Sequence, residues 1–168
     1  PNGAYIEYWP ALVDSKFIKE HIHVDGKIID VTPTSQLGLE EKYYQRIPYE
    51  NPKISIDNLK EDYFGKIFGT RSGDKGGCAN LGVWAKSQEA YSFLFDFLTV
   101  KKLKELLPDL EKFEIDRFEL PNIYSLNFYV HGILQDGVSS STRMDGQAKS
   151  LGEYLRAKKI NFPEQLLK

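Results

Sequence analysis

The apolar positions of this chain change period several times, and each change marks an element. The cleanest stretch is "IYSLNFYVH", 123–131. Tyr124, Leu126, Phe128 and Val130 recur at every second position, with Ser125, Asn127, Tyr129 and His131 between them. That alternation predicts a strand with one core face and one polar face. The preceding "KFEIDRFEL", 112–120, also reads as a strand. Its apolar phase moves from Phe113 and Ile115 to Phe118 and Leu120, which predicts a bulge or a strand switch near Asp116. Pro121-Asn122 supplies the turn between the two. Further upstream, "YFGKIFGT" and "NLGVWAK" flank the glycine-rich "RSGDKGG", and together they read as a β-loop-β unit.

Helices fill the interval between these pairs. Ser87 is placed to cap "QEAYSFLFDFL", with Glu89 in its first turn favoured by the helix dipole. The apolar residues of that segment lie on most sides, so it should be largely buried. Thr99 caps a second piece in which Leu103, Leu106, Leu107 and Leu110 recur at helical spacing; Pro108 should end it near Leu107. After the glycine-serine stretch "QDGVSSST" comes a last amphipathic helix, with Ala148, Leu151, Tyr154 and Leu155 on one stripe. No strand is legible beyond it. Strands arriving in hairpins with intervening helices predict an α+β domain, built on an antiparallel sheet of about four strands with helices packed on one face.

The texture is weaker before this domain. Pro48 and Pro52 lack an amide donor and bias their neighbours toward extended backbone, the mark of a linker. Residues 1–60 therefore read as an arm, or the tail of a preceding domain, with one strand around His23 to Val31. Residues 61–168 read as the domain proper. The opening "PNGAYIEYWP" has no initiator Met and reads as a processed start, a cloning scar or an excised piece of something longer.

Charge and composition narrow the functional classes. The 22 basic and 24 acidic residues give a net charge of −2 without a long run of either sign, which argues against a nucleic-acid surface. Cys78 is the only cysteine, so neither an intrachain disulfide nor a cysteine-rich zinc cluster is expected. No apolar run approaches the roughly 20 residues of a membrane span. The expectation is a cytoplasmic protein with no membrane partner, no metal and no cofactor.

The candidate chemistry centres on 71–80. Consecutive glycines can turn backbone N–H groups into one concavity that receives an anion, and Arg71 and Lys75 would add charge at its lip. Ser72, Gly73, Asp74, Gly76, Gly77 and Asn80 complete that candidate site, with Asp74 and Asn80 organising the turn through hydrogen bonds. The spacing is not that of a P-loop, because no G-x-x-x-x-G-K-[ST] occurs. The competing reading is a hairpin whose glycines take positive φ. Asn127 and His131, on the polar face of the 123–131 strand, could reach the same ligand or could make internal hydrogen bonds. His21 and His23, at i and i+2, face one way but lack a third metal ligand. Ser139 to Ser141 have no nucleophile elbow and read as loop polarity, and Cys78 reads as a small buried residue at a strand start.

"RSGDKGGCANLGVWA", then "ELPNIYSLNFYVHGIL" and "DGVSSSTRMDGQAKSLGEYL", resemble the carboxy-terminal region of the acyclic terpene utilisation proteins, the AtuA family, over about residues 63–158. The resemblance implies a ferredoxin-like domain. It also implies a setting in the breakdown of branched acyclic terpenoids through acyl-CoA thioesters, and a larger amino-terminal domain in the full-length members. It adds Asn122 and Arg143 to the candidate ligand site, places Asp145 and Lys149 in the family pattern as well, and assigns no catalytic residue. The family pattern has a polar residue where Cys78 stands. Two functions follow as expectations. One is binding of an acyl-CoA-like anion at the glycine-rich stretch. The other is a non-catalytic docking module, for the amino-terminal domain or a partner subunit, with homo-oligomers expected.

Overall fold

The computed structural model describes residues 11–31 and 49–168. Two compact units divide the chain, one holding residues 49–168 and the other falling within 9–48.

In the smaller unit, β1 (Glu20–Val24) and β2 (Lys27–Val31) form an antiparallel hairpin. The one strand expected around His23 to Val31 is thus two. Asp25 and Gly26 make the turn, both at positive φ (48° and 71°), the backbone that a two-residue hairpin connection demands. His21 Nδ1 lies 2.7 Å from Asp30 Oδ1 across the pair. Among the described residues no group of three His, Cys, Asp or Glu side chains is placed to hold a metal ion, and no helix is long and apolar enough to cross a membrane.

The larger unit is α+β. Its elements are β3 (Leu59–Tyr63), the single turn α1 (Phe64–Ile67), β4 (Gly69–Lys75), β5 (Cys78–Trp84), α2 (Gln88–Phe97), α3 (Val100–Leu106), β6 (Ile115–Leu120), β7 (Ser125–Val130), α4 (Ser150–Arg156) and β8 (Lys159–Pro163). Four strands make the antiparallel sheet, in the order β4-β5-β7-β6. Two hairpins therefore lie side by side, with α2 and α3 between them in sequence. β8 is the strand that could not be read beyond the last helix, and it pairs antiparallel with β3, apart from the main sheet.

The caps predicted from sequence are present. Ser87 accepts from Ala90 N–H at the start of α2, and Thr99 accepts from Lys102 N–H at the start of α3. Leu107 closes α3, and Pro108 opens a 3₁₀ turn. The sheet's inner face, Ala79, Leu81, Val83, Leu126, Phe128 and Val130, is fully buried with Tyr91, Leu94 and Leu103 from the helices. An aromatic group closes the core toward β3 and β8: Phe68 lies 4.8 Å from Phe64 and 5.8 Å from Phe162, centroid to centroid. Ladder pairing runs unbroken from Ile115↔Val130 to Leu120↔Ser125, so the bulge expected near Asp116 is absent.

Candidate functional site: the outer face of the sheet

The stretch expected to be a loop is a strand. Gly69 to Lys75 pair residue by residue with β5, from Gly69↔Trp84 to Lys75↔Cys78, and only Gly76-Gly77 turn. Gly76 alone of the glycines in 69–77 has positive φ, 62°. The backbone of 71–75 thus makes a ladder in place of the cradle of N–H groups expected there, because the seven-residue partner strand β5 offers it regular partners.

β4 is an edge strand, and α4 covers its free edge. Thr70 Oγ1 donates to Gly152 O at 2.9 Å; Ser72 Oγ donates to Lys149 O at 3.0 Å and accepts from Gly152 N–H at 2.9 Å. Gly152 has to be small here, since a Cβ would stand 3.0 Å from Thr70 Oγ1. Asp145 holds the start of α4 by accepting from Lys149 N–H and Ser150 N–H, each at 2.9 Å.

Strand register sorts the candidate residues between two faces. Thr70, Ser72 and Asp74 lie on the side of Leu81 and Phe128, and Ser72 is 5% exposed. Ser72 is therefore structural, and the Asp74 carboxylate makes no turn hydrogen bond among the described residues; only its carbonyl is engaged, by Lys75 Nζ at 2.9 Å. The outer face is built in rows across the strands. Gly69, Trp84, Ser125 and Leu120 form one row; Arg71, Gly82, Asn127 and Phe118 the next; Gly73, Asn80, Tyr129 and Asp116 the third. Lys75 and Cys78 begin a fourth, and His131 follows directly on the end of β7.

Arg71, Gly73, Lys75, Asn80, Asn127 and His131 thus share one face. Gly73 and Gly82 put no side chain on the outer face, which leaves a low strip of bare backbone, the outer trough, between Arg71 and Asn80, and Gly73 in it is buried. Lys149 reaches over the edge strand into it: its Nζ is 3.1 Å from the point a Cβ on Gly73 would occupy, and Asn80 Oδ1 is 3.9 Å from that point. Asn80 Nδ2 donates to Asn127 Oδ1 at 3.3 Å. Lys149 Nζ has no carboxylate partner among the described residues, so a cation and two amide side chains meet above a glycine floor.

Four more groups line the far end. His131 Nε2 lies 2.8 Å from Asp116 Oδ2, and its ring stands edge-on to Tyr129 with centroids 4.9 Å apart. Gly132 N–H donates to Cys78 Sγ at 3.4 Å. The hydrogen bond with Cys78 holds the Tyr129 phenol above its ordinary pKa, and burial and the Asp116 carboxylate push the same way.

One family model, the AtuA ferredoxin-like domain, matches residues 64–161. The chain belongs to this family. No curated protein and no solved structure matches it. Within the AtuA ferredoxin-like domain, then, the motif "RSGDKG" is an edge strand with its turn, alternate residues of which face the helix latch and the outer trough.

Two candidate residues lie elsewhere. Asn122 sits in the 3₁₀ turn Pro121–Ile123, before β7 begins, at the end of that strand opposite to His131. Arg143 lines a depression with Pro108, Asp109, Glu111 and Lys112, beyond α3. Gly77 is at the turn, where a Cβ would stand 2.1 Å from Gln135 O. Asp116 and Tyr129 were not among the sequence candidates. The alternation of β7 already placed Tyr129 on the polar face, but only strand register reveals Asp116 opposite it.

Proposed function

We propose that the outer trough receives the carbonyl end of an anionic acyl ligand. In the AtuA setting this would be an acyl-CoA thioester of branched, terpenoid-derived type. The observation that carries the reading is Lys149 Nζ poised over Gly73 beside the Asn80–Asn127 amide pair. A thioester carbonyl or a carboxylate needs donors, and an ammonium with an amide N–H supplies them above the bare backbone of Gly73 and Gly82. Arg71 in the neighbouring row adds charge. Activity is a separate matter from binding, since fold alone assigns no chemistry.

The test is a melting curve of the intact chain with geranyl-CoA, free CoA and inorganic phosphate. A ligand at a hundredfold its dissociation constant stabilises by about 2.7 kcal/mol, a readily measured rise in Tm. Geranyl-CoA should raise Tm more than free CoA, and Lys149→Ala should remove most of that difference while leaving the unliganded Tm nearly unchanged. Equal Tm values with and without geranyl-CoA, at millimolar concentration, would overturn the reading.

A second reading rests on a different observation: Trp84, Phe118 and Leu120 of the same face are 39%, 48% and 43% exposed. Such a group of large apolar side chains over two neighbouring rows suits docking against another folded surface. The partner would be the larger amino-terminal domain of the family or a second copy of this chain. Light scattering of the wild type against Phe118→Asp decides between a copy and a monomer; a dimer broken by the substitution supports self-docking.

A further inference from the structure

A second site lies at the end of the sheet away from the Gly76-Gly77 turn. Two adjoining depressions, about 500 and 220 Å³, share Lys66, Ile67 and Lys86 in their walls. The larger lies against the start of α2, and the smaller runs past Gly69 to Trp84 and Arg156. Three cations, Lys66, Lys86 and Arg156, therefore border this paired cleft. Lys86 is exposed and has no ion-pair partner among the described residues. Arg156 Nη1 lies 3.4 Å from both carboxylate oxygens of Glu153, and its side chain is laid against α1 because Gly65 has none; a Cβ there would be 2.9 Å from Arg156 Nε. Lys66 is paired with Asp62 and Glu89 also lines the cleft, so the unpaired charge is that of Lys86, with Arg156 presenting the guanidinium nitrogens that Glu153 does not contact. The amino end of the ten-residue α2 opens onto the same space and adds positive potential.

Trp84 gives the cleft its second character. Its indole lies directly on the backbone of Gly69, where a Cβ would come within 2.2 Å of Cε2. One ring face is thus seated on the strand, and the residue remains 39% exposed. A flat aromatic group held in this way, beside cations, suits a ligand that joins a phosphate to an aromatic ring.

The geometry points to a binding site for a nucleotide-type ligand, with its phosphates between Lys86 and Arg156 and its base stacked on Trp84. The inference uses neither Arg71, Gly73 nor Lys149, and it stands or falls apart from the acyl reading. ADP, inorganic pyrophosphate and adenosine are the probes, titrated by calorimetry and by intrinsic tryptophan fluorescence at low salt. ADP should bind more tightly than either fragment. Lys86→Ala and Arg156→Ala should each weaken ADP about tenfold, the scale of one lost charge-assisted hydrogen bond. Trp84→Leu should weaken ADP by a similar factor, about tenfold for a lost stacking contact, and leave pyrophosphate unchanged. Lys86 is exposed, so its variant tests the site without threatening the fold. Three results would overturn the proposal: no ADP binding at millimolar concentration, ADP binding that Lys86→Ala and Arg156→Ala together leave intact, or equal loss of ADP and pyrophosphate in Trp84→Leu.

Discussion

At the scale of single residues, the glycines of 69–82 differ in what they are for, and substitution separates them. Gly77→Ala would drive a Cβ to 2.1 Å from the fixed backbone oxygen of Gln135. Nothing flexible can yield there, so the urea midpoint should fall by the equivalent of about 2 kcal/mol or more. Gly73→Ala meets only the end of the Lys149 side chain, which can swing aside. Its stability should stay within about 0.5 kcal/mol of wild type, while any thermal gain from geranyl-CoA shrinks as the floor fills. Similar losses for both variants would show that the trough is merely a tight packing site. The sequence marked this stretch as special and misread its shape for a physical reason. Glycine disfavours strands intrinsically, yet a complete ladder to β5 and the α4 latch outweigh that preference. Lys149 could be placed in the motif by resemblance, but no periodicity says that a residue 76 positions after Gly73 crosses the edge strand.

Elements were legible where local chemistry decides them and obscure where tertiary contacts do. Both caps, the stop before Pro108 and the alternation of β7 are local features, and all were readable. β6 misled because its pattern is inverted: Phe118 and Leu120 face outward, whereas Arg117 lies on the core side, donating to Phe95 O at 2.7 Å and covering the Phe95 ring at 4.9 Å. An apolar phase read as a bulge is in truth a half-buried cation, Arg117, paired with Glu119 at 2.7 Å and bonded to a helix carbonyl. β8 is five residues long and ends in Pro163, too brief to announce itself before β3 is known to be its partner. The latch between α4 and β4 gives a prediction at this scale. Ser72→Ala would leave Gly152 N–H and Lys149 O without their shared partner in a buried place. The expected loss is about 2 kcal/mol, the desolvation cost of an unpaired group added to the bond itself. Native-state hydrogen exchange should then quicken in α4 before the sheet. Uniform quickening throughout would mean that α4 does not open as a separate unit.

For the whole molecule, the sheet with its covered inner face was foreseen, whereas the route by which β3 and β8 close the domain was not, because pairing between residues about a hundred positions apart leaves no local trace. That closure and the aromatic core together bury Tyr91 completely. Its ring packs against Tyr49, Phe95 and Tyr124 at centroid distances of 5.7 to 5.9 Å, and its hydroxyl finds no hydrogen-bond partner among the described residues. Burial, followed by the fields of Tyr49 and Glu119, pushes the phenol up to about 12. In the unfolded chain the same group ionises near 10. Below about pH 10 it is protonated in both states and adds no pH dependence; between about 10 and 12 the unfolded chain releases the proton and the native one keeps it. Stability must therefore fall as pH rises through that window, by at most about 1.4 kcal/mol per pH unit from this group. Tyr49 is raised in the same direction, chiefly by burial, and adds to the decline. Urea midpoints measured at pH 8 and at about pH 11 should show the drop for the wild type, and a smaller drop for Tyr91→Phe, whose ring has no proton to lose. At pH 8 Tyr91→Phe should be as stable as the wild type or more so, because an unpaired buried hydroxyl is a cost that the substitution removes. A Tyr91→Phe variant that declines as steeply as the wild type would place the alkaline sensitivity elsewhere, at Tyr49 or Tyr129, and a variant less stable at pH 8 would mean that the hydroxyl has found a partner.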